Sequence, residues 1–140
     1  MKFEWFEAYV ESLLRNAWDT TVDSDDDGDW PFRRGTAAGW VSARPYPHWH
    51  VNVFAHAATG LKQSARLLRE LNDANSQVVD GRVYWRQGVV MVETTIQAGQ
   101  VDAESLPLAC ARVGTVADDL GALLAAMFDG ATPYPAELGA

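Results

Sequence analysis

The chain has 140 residues, the length of about one domain, and its 48% hydrophobic and 21% charged residues are those of a globular protein with material for a core. A formal charge of -8 repels phosphate backbones and anionic lipid surfaces, which argues against nucleic acid and membrane as partners. The apolar runs are too short to span a bilayer, the first residues carry acids where a signal peptide needs an apolar stretch, and the single Cys110 forbids an internal disulfide, so a cytoplasmic protein is expected.

Phe3, Phe6, Tyr9, Val10, Leu13, Leu14 and Ala17 recur at helical spacing over residues 2–18, with Glu4, Glu7, Glu11 and Arg15 on the other side. An acidic run at 23–29 breaks the pattern. Strands are expected at about 30–34, 36–44 and 48–57, with turns at Gly35 and at Pro45-Tyr46-Pro47. The third alternates: Trp49, Val51, Val53 and Ala55 point one way, while His48, His50, Asn52, Phe54 and His56 point the other. A short helix over 63–74 carries Ala65, Leu67, Leu68 and Leu71. Two strands at about 81–87 and 89–97 then meet near Gln87-Gly88. A long amphipathic helix over 103–128 carries Leu106, Cys110, Val113, Ala117, Leu120, Leu124 and Met127. Gly114 and Gly121 either weaken it or permit close approach, and Gly130 ends it.

The order α-β-β-β-α-β-β-α with hairpin-linked strands indicates an α+β fold, an antiparallel sheet of about five strands with helices on one face. One domain is expected over 1–130, followed by a flexible tail over 131–140 that contains Pro133 and Pro135. Six tryptophans exceed what one small core usually holds, so some belong at an interface.

The run Asp23-Ser24-Asp25-Asp26-Asp27-Gly28-Asp29 begins like a calcium loop, with Asp23, Asp25 and Asp27 at its first, third and fifth positions and Gly28 at its sixth. Arg34 then stands where the loop needs a bidentate Glu, and Pro31 and Gly35 oppose an exiting helix. An EF-hand is excluded. A looser cation site using Asp23, Asp25, Asp27 and Asp29 stays open as an alternative, beside an acidic turn capping its own amides. His48 and His50 could share a metal at roughly 6.5–7 Å, but a structural zinc site wants four ligands. Cys110 lies in an apolar stripe. The serines lack a base-and-orienter context, Glu93 and Asp102 pair only by guesswork, and phosphate and dinucleotide loops are absent. No enzyme activity and no cofactor are expected.

The positive feature is the sheet face turned from the core. His50, Phe54, Arg82, Tyr84 and Arg86 belong to it, and Trp40 and Arg44 share one side of the second strand and can join them. Mixed aromatic and Arg side chains compose a protein-contact surface, against the plainer reading of local cross-strand pairing. Trp40, His50, Phe54, Tyr84 and Arg86 are the expected contact residues. Arg33 and Arg34 are expected to pair with the acidic run or with acids on a partner.

Asp27-Gly28-Asp29-Trp30-Pro31-Phe32-Arg33-Arg34-Gly35-Thr36-Ala37 resembles a segment of YbjN-like proteins, which belong with the type III secretion chaperones of the CesT and YopN-chaperone type and are common in actinobacteria. Leu71-Asn72-Asp73-Ala74-Asn75 and the strand pair at 81–97 are similar to that family's helix-to-hairpin passage, and the element order matches over roughly 2–130. The resemblance implies a compact α+β domain, often a homodimer, that acts as a peptide-binding chaperone or adaptor and not as an enzyme. It supplies no catalytic residues. This chain has one short domain where some relatives carry tandem copies, and it shows no sign of an associated secretion apparatus.

Overall fold

The computed structural model describes residues 2–78 and 80–136. Along the chain run α1 (Phe3–Trp18), β1 (Trp30–Arg34), β2 (Ala37–Arg44), β3 (His50–Ala58), α2 (Ala65–Asn75), β4 (Arg82–Arg86), β5 (Val89–Gln97) and α3 (Ser105–Met127). This is the expected α+β order, and the strands form one antiparallel sheet in the order β1-β2-β3-β5-β4. The β4–β5 hairpin comes back against β3 through β5, which leaves β1 and β4 as the edges.

The turns follow from the residues that make them. Gly35, between β1 and β2, takes φ 57°, and any side chain there would also strike the Asp118 carboxylate. Gln87 and Gly88 both take positive φ, 52° and 87°, as a two-residue hairpin turn requires. That turn sets Arg86 opposite Val89, and so Arg82 opposite Glu93.

Alternation then sorts the sheet into two faces. Val41, Val51, Val53, Val90 and Val92 are buried on one face beneath α1 and α3. From α1, Phe6, Val10 and Leu14 enter this core, each contributing roughly 1.5–3 kcal/mol of apolar burial. Trp49 closes one end, edge-on to Phe3 and stacked on Phe6 at 5.9 Å. Trp30 is buried under α1, its indole N–H donating to Glu11 Oε1 at 3.3 Å. Gly121 of α3 lies directly on the main chain of β3, where a β-carbon would come within 2.8 Å of the Ala57 carbonyl carbon. Gly114 meets the Arg34 side chain in the same way. The two glycines thus serve close approach.

Ser64 caps α2, its hydroxyl accepting the Leu67 N–H at 3.1 Å, and Leu67 and Leu71 anchor the helix in the core. Its last residue reaches β4. The Asn75 amide donates to the Val83 carbonyl and accepts the Val83 N–H, both at 2.7 Å, and so pairs the outer edge of β4 as a further strand would. Beyond α3, Ala131 bridges Thr59 and the Tyr134 N–H donates to the Thr36 carbonyl at 3.1 Å. The tail expected over 131–140 is therefore laid against the body in its first part, and 137–140 lie outside the described residues.

Candidate functional site

On the sheet's other face the register brings the expected contact residues together. Trp40 of β2 sits opposite Phe54 of β3, and their rings stack at 5.5 Å with planes 20° apart. His56, two residues along, lies 4.6 Å from the Trp40 ring. Phe54 faces Glu93 of β5, and Glu93 faces Arg82 of β4. Met91 links His56 to Tyr84 in the same manner. Trp40, Phe54, His56, Met91 and Tyr84 therefore form a half-buried stripe running obliquely across four strands. His50 stands at one end beside Arg44, and Arg86 at the other.

Glu93 is the sole carboxylate in the five strands, and it is buried. The Arg82 guanidinium pairs with it, and the Tyr84 hydroxyl donates to its Oε2 at 3.1 Å. Arg82 also lies over the Tyr84 ring at 5.0 Å. Burial, with the Glu93 charge and hydrogen bond, pushes the Tyr84 phenol above its ordinary value. Burial alone lowers His56 below 6.5. The Arg44 guanidinium sits 6.0 Å from the Phe54 ring and donates to Ser42 Oγ at 3.2 Å.

Arg33 and Arg34 part company. Strand alternation puts Arg33 on the aromatic face, at the β1 edge, where it covers the Tyr134 ring at 4.3 Å and donates to the Gly35 and Pro135 carbonyls. Arg34 turns to the opposite face, against Gly114 of α3, and its charge reaches Asp118. Asp118 is held below the usual carboxylate range chiefly by the Thr36 N–H and hydroxyl, each donating at 2.8 Å. Among the described residues, neither arginine pairs with the acidic run.

That run closes on itself. Asp25 Oδ1 accepts the N–H groups of Asp27 at 3.0 Å and Asp29 at 2.9 Å, and the Asp25 N–H donates to the Asp29 carbonyl at 2.7 Å. Gly28 takes φ 80° within this loop. Among the described residues no three His, Cys, Asp or Glu side chains gather to hold a metal ion, so the calcium alternative finds no support. His48 and His50 do approach, rings 5.9 Å apart, with His50 Nδ1 bonded to the His48 carbonyl. Cys110 is buried and its thiol is pushed up to about 12 by desolvation. Asp102 caps the start of α3 through the Glu104 and Ser105 N–H groups, while Glu93 is taken by the sheet, so the two form no acid pair.

One concave feature escaped the sequence reading. A cleft of about 730 Å³ opens between the end of α2 and α3, lined by Ala74, Val78, Val92, Val116, Leu120 and Leu123. Its trace in the sequence is apolar residues on more than one side of α3: Leu123 is 54% exposed while Leu124 is fully buried. On its rim Arg112 and Asp80 pair with each other at 2.8 Å.

Among the described residues no helix is long and apolar enough to cross a membrane. A sequence model of the family described as T3SS (YopN, CesT) and YbjN peptide-binding chaperone 1 matches residues 4–136. No curated protein matches the sequence. Among solved structures, a chain of the crystal structure of the ExsC–ExsE complex superposes with a TM-score of 0.68 at 16% identity, over 84% of this chain and 95% of that one. At that identity the likeness is one of fold.

Proposed function

The chain belongs to the family of T3SS (YopN, CesT) and YbjN peptide-binding chaperones, and from that premise we propose that it holds a segment of a client protein against the outer face of its sheet. The observation that carries this reading is the stripe itself. A stacked Trp40–Phe54 pair, flanked by His56 and Tyr84 and bracketed by arginines, puts aromatic area and guanidinium groups where interfaces concentrate them. Among the described residues no helix covers this face: α1 and α3 pack on the other one, and the segment at Tyr134 and Pro135 meets only its β1 margin at Arg33.

The face is favoured over the sheet edges. Strand addition needs a row of free main-chain donors and acceptors. At β4 the Asn75 amide already pairs Val83, and at β1 Pro31 has no N–H to offer. Trp40, His50, Phe54, Tyr84 and Arg86 are then the contact residues, with Arg33 at the margin. Arg34, on the opposite face, contributes through α3 instead.

We also read the protein as a cytoplasmic, non-enzymatic homodimer, as the family resemblance implies; light scattering of the purified chain checks the dimer. The binding reading is tested by co-purification from the native host with mass spectrometry, repeated with Trp40→Ala and Tyr84→Ala. A specific client retained by the wild type and lost by both variants, with far-UV circular dichroism unchanged, is the expected result. A client that binds both variants at wild-type strength removes the sheet face from the mechanism.

A further inference from the structure

The outer face has a charge opposite to that of the protein. The strands hold five arginines, Arg33, Arg34, Arg44, Arg82 and Arg86, against the one carboxylate of Glu93, in a chain of net charge -8. Four of those arginines lie on the outer face, and Glu93 is buried and already paired with Arg82. The three histidines of the chain lie there too: His50 and His56 in β3, and His48 with its ring beside that of His50. Every other described carboxylate lies on a helix or a loop. Among the described residues, Arg44 and Arg86 have no carboxylate within ion-pair distance.

These two arginines mark the ends of the stripe. Arg44 pairs with His50 in the row that ends at Gln97, and Arg86 pairs with Val89 at the far end of β5. They are separated by three strand spacings across the sheet and the length of β5 along it, about 30 Å on a diagonal. An extended peptide covers that distance in about nine residues. Between the ends the path crosses Phe54, Trp40, His56, Met91 and Tyr84.

Resting on the sheet-face reading, we infer that the client segment bound there is an extended acidic peptide of about nine residues, with carboxylates near both ends and apolar or aromatic side chains between them. Arg44 and Arg86 receive the carboxylates, and the stripe receives the centre. A polyanion such as an anionic membrane fits less well, because the patch is small and the acidic remainder of the surface repels an extended negative surface.

The test uses the 140-residue chain and a fluorescein-labelled decapeptide with two glutamates at each end and a Leu-Phe pair at its centre. Its counterpart carries glutamines in place of the glutamates. Fluorescence anisotropy is expected to show the acidic peptide binding at least about tenfold tighter than the glutamine one at low salt. The preference should collapse in 0.5 M salt and be abolished by Arg44→Glu combined with Arg86→Glu, both exposed positions. Equal affinity for the two peptides, with both weakened by Trp40→Ala, overturns the acidic assignment and leaves the face as the site. No binding of either peptide, or binding insensitive to the double charge reversal, also overturns it, and co-purification with Trp40→Ala and Tyr84→Ala then judges the face separately. Vesicles rich in phosphatidylserine form the last arm: binding to them that requires Arg44 and Arg86, in place of peptide binding, overturns the inference in favour of a lipid surface.

Discussion

Replacing Gly121 by alanine tests how closely α3 lies on the sheet. A β-carbon there would stand 2.8 Å from the Ala57 carbonyl carbon and closer still to its oxygen, where ordinary contact begins at 3.4 Å. Ala57 belongs to the middle strand and is fully buried; it is the extra residue of a bulge, and its neighbours His56 and Ala58 are both paired to β5, so the strand is anchored on either side of it and the helix yields first. Backing α3 off by about 1 Å forfeits a quarter to a half of the dispersion attraction of the atoms along that contact. Overpacking of this kind costs about 1–3 kcal/mol, occasionally more. A rigid main-chain neighbour puts this site at or above the upper end. Alanine's helix propensity returns about 1 kcal/mol, for a net loss of about 2–3 kcal/mol. In a domain of this size that lowers Tm by about 6–12 °C. At Gly114 the new methyl group meets the Arg34 side chain at 2.8 and 3.0 Å, on an exposed residue of an edge strand that can shift, so the loss there stays within about 1 kcal/mol. Urea denaturation followed by tryptophan fluorescence gives both values. A Gly121→Ala protein as stable as the wild type would mean that helix propensity wins and that α3 is not seated on Ala57 as described.

Three further outcomes are expected. Asn75→Ala leaves the Val83 N–H and carbonyl without their partner and should cost about 1–3 kcal/mol in urea denaturation, with added self-association at high concentration; an unchanged midpoint would show that the edge did not need the amide. His56 is held below 6.5 by burial, so the native state binds fewer protons than the unfolded chain, and its contribution is fully present above pH 6.5 and lost as pH falls through the lowered native value. The Tm difference between wild type and His56→Gln should therefore move against the wild type from pH 7.5 to 5.5, and a move in its favour refutes the desolvation argument. Millimolar calcium should leave Tm unchanged, because Asp25 is committed to the amides of Asp27 and Asp29; a stabilisation near the roughly 2.7 kcal/mol that a ligand at about 100 times its Kd confers reopens the cation site.

Much of the fold is legible in the residues because each element carries its own period. The alternation from Val51 to Ala57 and the three-and-four spacing from Leu106 to Leu124 place β3 and α3 without tertiary information. Gly35 and Gln87-Gly88 mark their turns because those positions take positive φ. The insertion of β5 between β3 and β4 rests on long-range pairing that no local pattern encodes. The site is legible to a similar depth. Alternation gathers Trp40, Phe54 and Tyr84 on one face, and applied to β1 it also separates Arg33 from Arg34, a step that grouping the two as one basic pair overlooks. The shielding of Glu93 by Arg82 and Tyr84 needs the hairpin register, and the cleft beside Leu123 needs the seating of α2 against α3.

The division of charge between sheet and helices has a consequence that precedes any contact. The strands hold five arginines against one carboxylate, and the helices seven carboxylates against four arginines, so the molecule carries opposite net charge on its two layers. Its long-range field sorts directions of approach: a negatively charged chain is turned away from the helical side and drawn, already oriented, toward the sheet. Orientation of this kind raises the rate of productive encounter more than it deepens the final complex. Because the field fades beyond about 8 Å at physiological salt, the sorting takes place only in the last stretch of diffusion.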